Sequence, residues 1–340
     1  MDWSSLPALP AFSVGGRRRK PAGPRIGLVL GAGGITGIAW LAGAVRALEE
    51  HTGWVASSAD IIAGTSAGAV VATVLAVGHD PCELLVYGEQ PDTLKTAIAR
   101  AMRGRDPEPR TLPLPVSLRL GVSGLLNPDT RRLSGFLPTG VVSGDEIRGL
   151  THEAASNGWP TRCELWLNAC DAKSGRHVTF GRRGTPEVPL ADAVVASCAV
   201  PSYYRPVSIG GRRYVDGGVR SLTNADLLAD QGCDIVIVMS PFSSTQRGPL
   251  LDTALFGVPR RAAAMRTARE IARLREAGSQ VVCIQPTSAD IKAMGLNPME
   301  RAHSRHVMDT ATASVAALLP EVLGDVDLIA PPARQLAAAA

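Results

Sequence analysis

A chain of 340 residues with 35 basic and 31 acidic side chains carries a formal charge of only +4, too little for a global field that would draw it to nucleic acid. Aromatic residues make up 4%, and no basic stretch is interleaved with them as a base-stacking platform requires. At 45% hydrophobic content the chain can bury a sizeable core, as one large α/β domain or two small ones.

The start, Met1–Pro24, contains Pro, Gly and Arg without an apolar core, so it reads as a disordered basic tail and not as a signal peptide. From Ile26 to Leu48 the only charge is Arg46, which resembles a membrane span. The cluster Gly31-Ala32-Gly33-Gly34 would break a spanning helix, so the segment reads as strand Ile26–Leu30, a glycine turn, and helix Ile35–His51. This predicts a cytoplasmic protein.

Strands and helices then alternate. Strands are predicted at Asp60–Ala63, Glu164–Asn168, His177–Phe180, Tyr214–Val215, Asp234–Met239 and Gln280–Gln285. Helices are predicted at Ala67–Val77, Gly144–Ser156, Leu190–Ala196, Asn224–Asp230, Arg260–Glu276 and Pro298–Leu319. Ser143 with Glu146 suggests a capping box, and Asn297-Pro298 an N-cap before a first-turn proline. Apolar strands such as Ile235–Val238 imply burial on both faces, hence a mainly parallel sheet covered by helices. The proline-rich stretch Gly104–Thr139 is either a surface insertion or a lid over an apolar acyl site.

Cys82, Cys163, Cys170, Cys198, Cys233 and Cys283 form no CxxC pair and sit mostly in apolar segments, as buried free thiols do. No HExxH-like spacing appears, so no metal and no other cofactor is implied.

Gly64-Thr65-Ser66-Ala67-Gly68 follows an apolar strand and opens a small-residue helix. A serine between glycines at such a turn presents a hydroxyl near the first amides of the helix, where developing negative charge is favoured. The turn Gly31–Gly37 carries two readings. Gly31, Gly33 and Gly37 match a dinucleotide-binding GxGxxxG, but no acidic residue closes the second strand and no Tyr-x-x-x-Lys pair occurs. Otherwise its amides form an anion site at a helix N-terminus, able to stabilise an oxyanion beside Ser66. In Tyr214-Val215-Asp216-Gly217-Gly218 the aspartate is either a hairpin turn residue or a proton acceptor for Ser66. Ala196-Ser197-Cys198-Ala199-Val200-Pro201 lies upstream of it.

These four pieces, in the chain order glycine turn, Gly-x-Ser-x-Gly, Ala-Ser-x-Ala-x-Pro and Asp-Gly-Gly between Ile26 and Asp230, resemble the patatin-like phospholipases, a family of lipid acyl hydrolases. The resemblance implies a three-layer α/β/α patatin-like fold with a mainly parallel central sheet, as one domain over 25–325 followed by a tail at 326–340. It implies that Ser66 is the nucleophile and Asp216 its base, in a Ser–Asp dyad without a catalytic histidine. Amides of Gly33, Gly34 and Ile35 would line the oxyanion hole. Gly31, Gly37, Gly64, Gly68, Gly217 and Gly218 complete the motifs. Two departures stand out. Thr36 occupies a position where the family often has Lys or Arg, which bears on phospholipid preference, and Ala32 replaces a glycine. The implied reaction is two-step cleavage of a fatty-acyl ester, phospholipid or other. An ordinary aspartate is a weak base for an alcohol, so the site must raise its basicity by desolvation.

Two alternatives remain at this point: a Ser–His–Asp esterase using His303 or His306, or a catalytically weak lipid-binding protein. Arg260–Glu276 holds six arginines against Glu270 and Glu276, with Arg266, Arg269 and Arg273 on one face. That face is either solvated or docks on an anionic bilayer, helped by Arg17-Arg18-Arg19-Lys20.

Overall fold

The structure is a computed structural model that describes residues 23–85, 138–140 and 142–329. The tail to residue 22 with its basic run, nearly all of the proline-rich stretch 104–139, and residues 330–340 lie outside the described residues.

Strands β1 (Ile26–Leu30), β2 (Ile61–Thr65), β3 (Glu164–Asp171), β4 (His177–Phe180), β5 (Val207–Ile209), β6 (Arg212–Asp216), β7 (Ile235–Met239) and β8 (Gln280–Ile284) form one sheet. Its order is β5-β6-β3-β2-β1-β7-β8, with β4 also paired to β3. The run β3-β2-β1-β7-β8 is parallel, and the β4, β5 and β6 pairings are antiparallel. Helices are α1 (Gly34–Thr52), α2 (Ala67–Ala76), α3 (Asp145–Ala154), α4 (Leu190–Ser197), α5 (Leu250–Glu276), α6 (Ser288–Met294) and α7 (Ser304–Leu323).

Alternation along the strands divides the core between the two faces of the sheet. Leu28, Leu30, Ile62, Leu165, Leu167, Ile237 and Met239 pack with residues of α1, α2, α4, α6 and α7. Val29, Ile61, Ala63, Trp166, Val236 and Val238 pack with Leu228 and with Leu274 of α5. Both faces are therefore dry, which is why the parallel strands read as unbroken apolar runs. Three layers result, helices on either side of a mainly parallel sheet, as expected. Among the described residues no helix is long and apolar enough to cross a membrane.

Several boundaries differ from the sequence reading for local reasons. Helix α7 starts at Ser304 and not at Pro298. The Asn297 side chain accepts the Met299 N–H at 3.0 Å, and the Pro298 carbonyl accepts the Thr36 N–H at 3.1 Å, so this stretch is a loop laid against the glycine turn. The Ser143–Glu146 capping box does not form: Gly144 is the N-cap, and the Glu146 carboxylate pairs instead with Arg301 at 2.7 Å. A true capping box joins Thr287 and Asp290 at α6, a helix the periodicity missed. The segment after Asn224 is a 3-10 helix, Ala225–Gln231. Helix α5 runs through Pro259 and begins ten residues before the predicted Arg260. Finally, β5 and β6 form the hairpin, turning at Gly210 and Gly211 with φ of 55° and 75°. Asp216 is thus not a hairpin turn residue; it ends β6 and enters a 3-10 turn, Gly217–Val219.

Candidate active site

Strands β1 and β2 are parallel neighbours with Leu30 opposite Gly64, so the turns leaving them stand side by side at the same edge of the sheet. That places the Gly31–Gly37 turn next to the Ser66 turn. Such an edge, where parallel strands hand over to helices, is where α/β sheets hold ligands.

Ser66 has φ 56° and ψ −120°, a strained conformation for a residue with a side chain. The strain is held by its surroundings. The Ser66 N–H donates to Ser197 Oγ at 3.1 Å, and its carbonyl accepts from Ala69 N–H at 2.8 Å and from Cys198 Sγ at 3.3 Å. The flanking glycines contribute closeness, since a side chain on Gly64 would meet Ala69 Cα at 2.6 Å and one on Gly68 would run into the Leu30 carbonyl. Gly68 N–H also donates to Gly31 O at 3.1 Å, tying the two turns together.

In the glycine turn, Gly31 N–H donates to Met239 O, Ala32 N–H to Leu222 O, Thr36 N–H to Pro298 O and Gly37 N–H to Gly33 O. The N–H groups of Gly33, Gly34 and Ile35 make no hydrogen bond among the described residues. They are the orphan amides of a helix start, and α1 has no side-chain cap to occupy them. Gly34 and Ile35 line the cavity that holds Ser66, while Gly33 faces a smaller cavity with Thr36. Thr36 itself is buried.

Asp216 enters from the far side of β3, where it pairs with Ala169. Its N–H donates to Ala199 O at 2.9 Å, and its Oδ1 accepts from Gly218 N–H at 2.6 Å. The carboxyl is fully sequestered, and burial pushes its pKa up from 3.8 to about 6, against the opposing pull of the Ser66 hydroxyl and the Gly218 amide. Ser66 thus acts on the carboxyl as a hydrogen-bond partner, yet not with full geometry: Oδ2 is buried without a bonded partner among the described residues. An unfilled acceptor beside a serine hydroxyl is the arrangement a proton transfer needs before substrate tightens it.

An apolar cavity of about 100 Å³ opens on Ser66. Ile38, Val70, Val74, Ile147 and Leu150 form its wall, and the ion pair of Glu146 with Arg301 lies on it. Cys198 lines it too; burial and the nearby Asp216 raise its thiol pKa well above normal, so it stays protonated beside Ser66. His303 and His306 are exposed and do not line this cavity. The half-buried His177 has its pKa lowered to about 4 through desolvation and nearby Arg220. Its Nε2 lies 3.3 Å from Asn168 Oδ1, an arrangement that makes it a neutral donor.

Sequence reading missed the layer beneath Ser66 and Asp216. Thr65 Oγ1 accepts from Asn168 Nδ2 at 3.2 Å and from Asn224 Nδ2 at 3.1 Å. The same Asn224 amide reaches Gly217 O at 3.4 Å and Ser221 O at 2.6 Å, while its Oδ1 accepts from Arg220. Asn224 therefore braces the residue before Ser66 to the residue after Asp216. Its φ of 54° and complete burial are the only signals, and neither is visible in sequence. Among the described residues no group of three or more His, Cys, Asp or Glu side chains is placed to hold a metal ion.

A family model described as patatin-like phospholipase matches residues 28–229. An uncharacterized NTE family protein of Mycobacterium tuberculosis is 28% identical over 249 residues, which cover 73% of this chain and 56% of that protein. The uncharacterized protein YqhO of Bacillus subtilis is 31% identical over 212 residues, 57% of this chain and 63% of its own. The chain thus spans little more than half the length of these curated relatives. Among solved structures, VipD from Legionella pneumophila superposes with a TM-score of 0.41 at 14% identity, over 89% of this chain and 67% of that one. ExoU in its heterodimeric complex with SpcU, from Pseudomonas aeruginosa, gives 0.40 at 19% identity, over 88% and 52%.

Proposed function

The chain belongs to the patatin-like phospholipase family, and from that premise we propose that it cleaves fatty-acyl esters by a Ser66–Asp216 dyad through an acyl-enzyme. The observation that carries this reading is the buried Asp216 carboxyl, raised to a pKa of about 6 with the Ser66 hydroxyl against it. A base so tuned is ionised at neutral pH and far more basic than a solvated aspartate.

Substrate would enter with its acyl chain along the apolar wall at Val70, Val74 and Leu150 and its ester carbonyl over Ser66. Ser66 Oγ attacks as its proton passes to Asp216 Oδ2. The carbonyl oxygen becomes an oxyanion received by the free amides of Gly33, Gly34 and Ile35, each such donor being worth about 3–4 kcal/mol of barrier. Collapse expels the alcohol, which takes the proton from Asp216. Water then attacks the acyl-enzyme as its proton passes to Asp216, and the Ser66 Oγ–acyl bond breaks with that proton returning to Ser66, releasing the fatty acid. The proton never needs a histidine, because desolvation of Asp216 supplies the basicity that imidazole supplies elsewhere.

The test is a pair of measurements. A fluorophosphonate probe should label the wild-type chain and not Ser66→Ala, and hydrolysis of a short-chain p-nitrophenyl ester should be abolished in Ser66→Ala and in Asp216→Asn. Labelling that persists in Ser66→Ala, or full turnover by Asp216→Asn, removes that residue from the mechanism.

A further inference from the structure

Helix α5 begins at Leu250 and turns a run of large apolar side chains outward. Leu250 is 88% exposed, Leu251 57%, Leu255 56%, Val258 79% and Met265 61%. Positions 251, 255, 258, 262 and 265 recur at helical spacing, so with Ala262 they make one stripe about 20 Å long. Five of the ten large hydrophobic residues exposed among the described residues sit on this single helix, which marks a patch and not scattered exposure.

Charge on the stripe has one sign. Asp252 is turned inward onto Arg260 at 3.2 Å, and Glu270 is buried beneath Thr223 and Ala225. Between residues 250 and 269 the helix therefore exposes no acid, while Arg261 and Arg269 are exposed. This is not the face expected from the sequence, for Arg266 and Arg273 are committed to Glu270 and Asp226.

The opposite, inward face of this helix reaches the proposed site. Phe256 and Arg260 of α5 share a small cavity with Gly33, Thr36 and Leu296. Leu296 is 40% exposed, and its loop continues to Arg301 on the Ser66 cavity.

We propose that this outward face of α5, centred on Leu255 and Val258 and flanked by Arg261 and Arg269, docks the protein on an anionic lipid bilayer. Apolar side chains would enter the boundary between headgroups and acyl chains while the guanidinium groups meet lipid phosphates. A second copy of the chain fits less well, because pairing two such stripes sets arginines against arginines across a desolvated contact. The purpose of docking rests on the acyl-hydrolase reading, since it concentrates the chain at the surface that carries its lipid; the docking itself can be measured without it.

The experiment is sedimentation of the full chain with vesicles of phosphatidylcholine alone and of phosphatidylcholine with phosphatidylglycerol. Wild type and Ser66→Ala should both favour the anionic vesicles by about tenfold or more, and salt should weaken the binding. The Leu255→Asp/Val258→Asp double variant should bind anionic vesicles at least about tenfold less. Arg261→Glu/Arg269→Glu should lose the preference for anionic over neutral vesicles. Both should hydrolyse a soluble p-nitrophenyl ester as wild type does. If the aspartate pair lowers the melting temperature, the arginine pair decides in its place. Unchanged vesicle binding in these variants overturns the proposal. So does a wild-type dimer that Leu255→Asp/Val258→Asp splits while vesicle binding persists. A wild-type chain that hydrolyses no ester but binds vesicles by this face would overturn the proposed activity and leave the docking standing.

Discussion

Ser197 Oγ accepts the backbone N–H of Ser66 at 3.1 Å and donates its own hydroxyl hydrogen to Asn168 O at 2.7 Å. Two residues on, Ala199 O accepts the N–H of Asp216 at 2.9 Å. A three-residue stretch at the end of α4 therefore holds the backbones of both members of the proposed dyad. Ser197→Ala leaves the buried Ser66 N–H unpaired, which costs about 1–3 kcal/mol of stability. It also frees a strained turn to relax, and with it the aim of Ser66. The expected result is a lower melting temperature and a kcat reduced about tenfold or more, with KM little changed. Wild-type kcat in Ser197→Ala would show that the turn holds its shape without this bond.

With Asp216 as the proposed base, activity and stability are predicted to depend on pH in opposite directions. As a base it works only when ionised, so kcat/KM of the free enzyme should rise as pH passes about 6 and level off above. Stability runs the other way. The folded chain keeps the Asp216 proton up to about pH 6, while the unfolded chain loses it near its ordinary value of 3.8. Between these values the native state binds more protons, so this contribution is complete below the lower value and lost as pH rises through the upper one. The difference amounts to about 3 kcal/mol, and Asp216→Asn should recover much of it at about pH 8 while abolishing turnover. Denaturant unfolding of both proteins at about pH 4 and about pH 8 measures it. Equal stability gaps at the two pH values would contradict a buried carboxylate with a raised pKa.

What could be read in advance follows from where the information lies. The parallel core was legible because β1, β2 and β7 are buried on both faces and carry uninterrupted apolar residues. Ser66 and Asp216 were legible because their turns need glycines on top of other backbones: a side chain on Gly217 would strike Asn168 O, as one on Gly68 would strike Leu30 O. Contacts between distant segments left no such trace. Nothing local marks Asn224 as the brace between Thr65 and Gly217, or Pro298 as the acceptor for Thr36 N–H. Helix α5 was cut short because Pro259 reads as a breaker, although ten residues of helix precede it, and the exposed stripe was lost with them.

Three substitutions separate what Asn224 does through its backbone from what it does through its amide. Asn224 sits at φ 54°, which glycine adopts freely and alanine at about 1–2 kcal/mol. Asn224→Gly keeps the backbone and removes the bonds to Thr65 Oγ1, Gly217 O and Ser221 O; Asn224→Ala does both kinds of damage. If the amide is the brace, both variants lose kcat by a similar factor, about tenfold, and alanine loses more stability. Asn224→Asp keeps the acceptor for Arg220 but no N–H donors, so it should resemble glycine in turnover. Wild-type kcat in Asn224→Gly would assign the residue to backbone geometry alone.

Motif glycines need not be equally strict, and Gly34 and Gly37 are predicted to differ although both belong to the same turn. Gly34 has φ 67°, and a side chain there would lie 2.5 Å from Pro298 O. Gly34→Ala must therefore displace the 298–301 loop or rotate the amides of Gly34 and Ile35, so kcat should fall by about a hundredfold as oxyanion donors turn away. Gly37 lies within α1, and its added Cβ would meet Pro241 Cγ at 3.4 Å and Ala67 Cβ at 3.6 Å, ordinary van der Waals contacts. Alanine there improves helix propensity by up to about 1 kcal/mol. Gly37→Ala should fold with unchanged or slightly higher stability and near wild-type turnover. Ester hydrolysis and thermal unfolding of the two variants decide the matter. Loss of activity in a stable Gly37→Ala would mean that substrate, not packing, requires the bare backbone at this position.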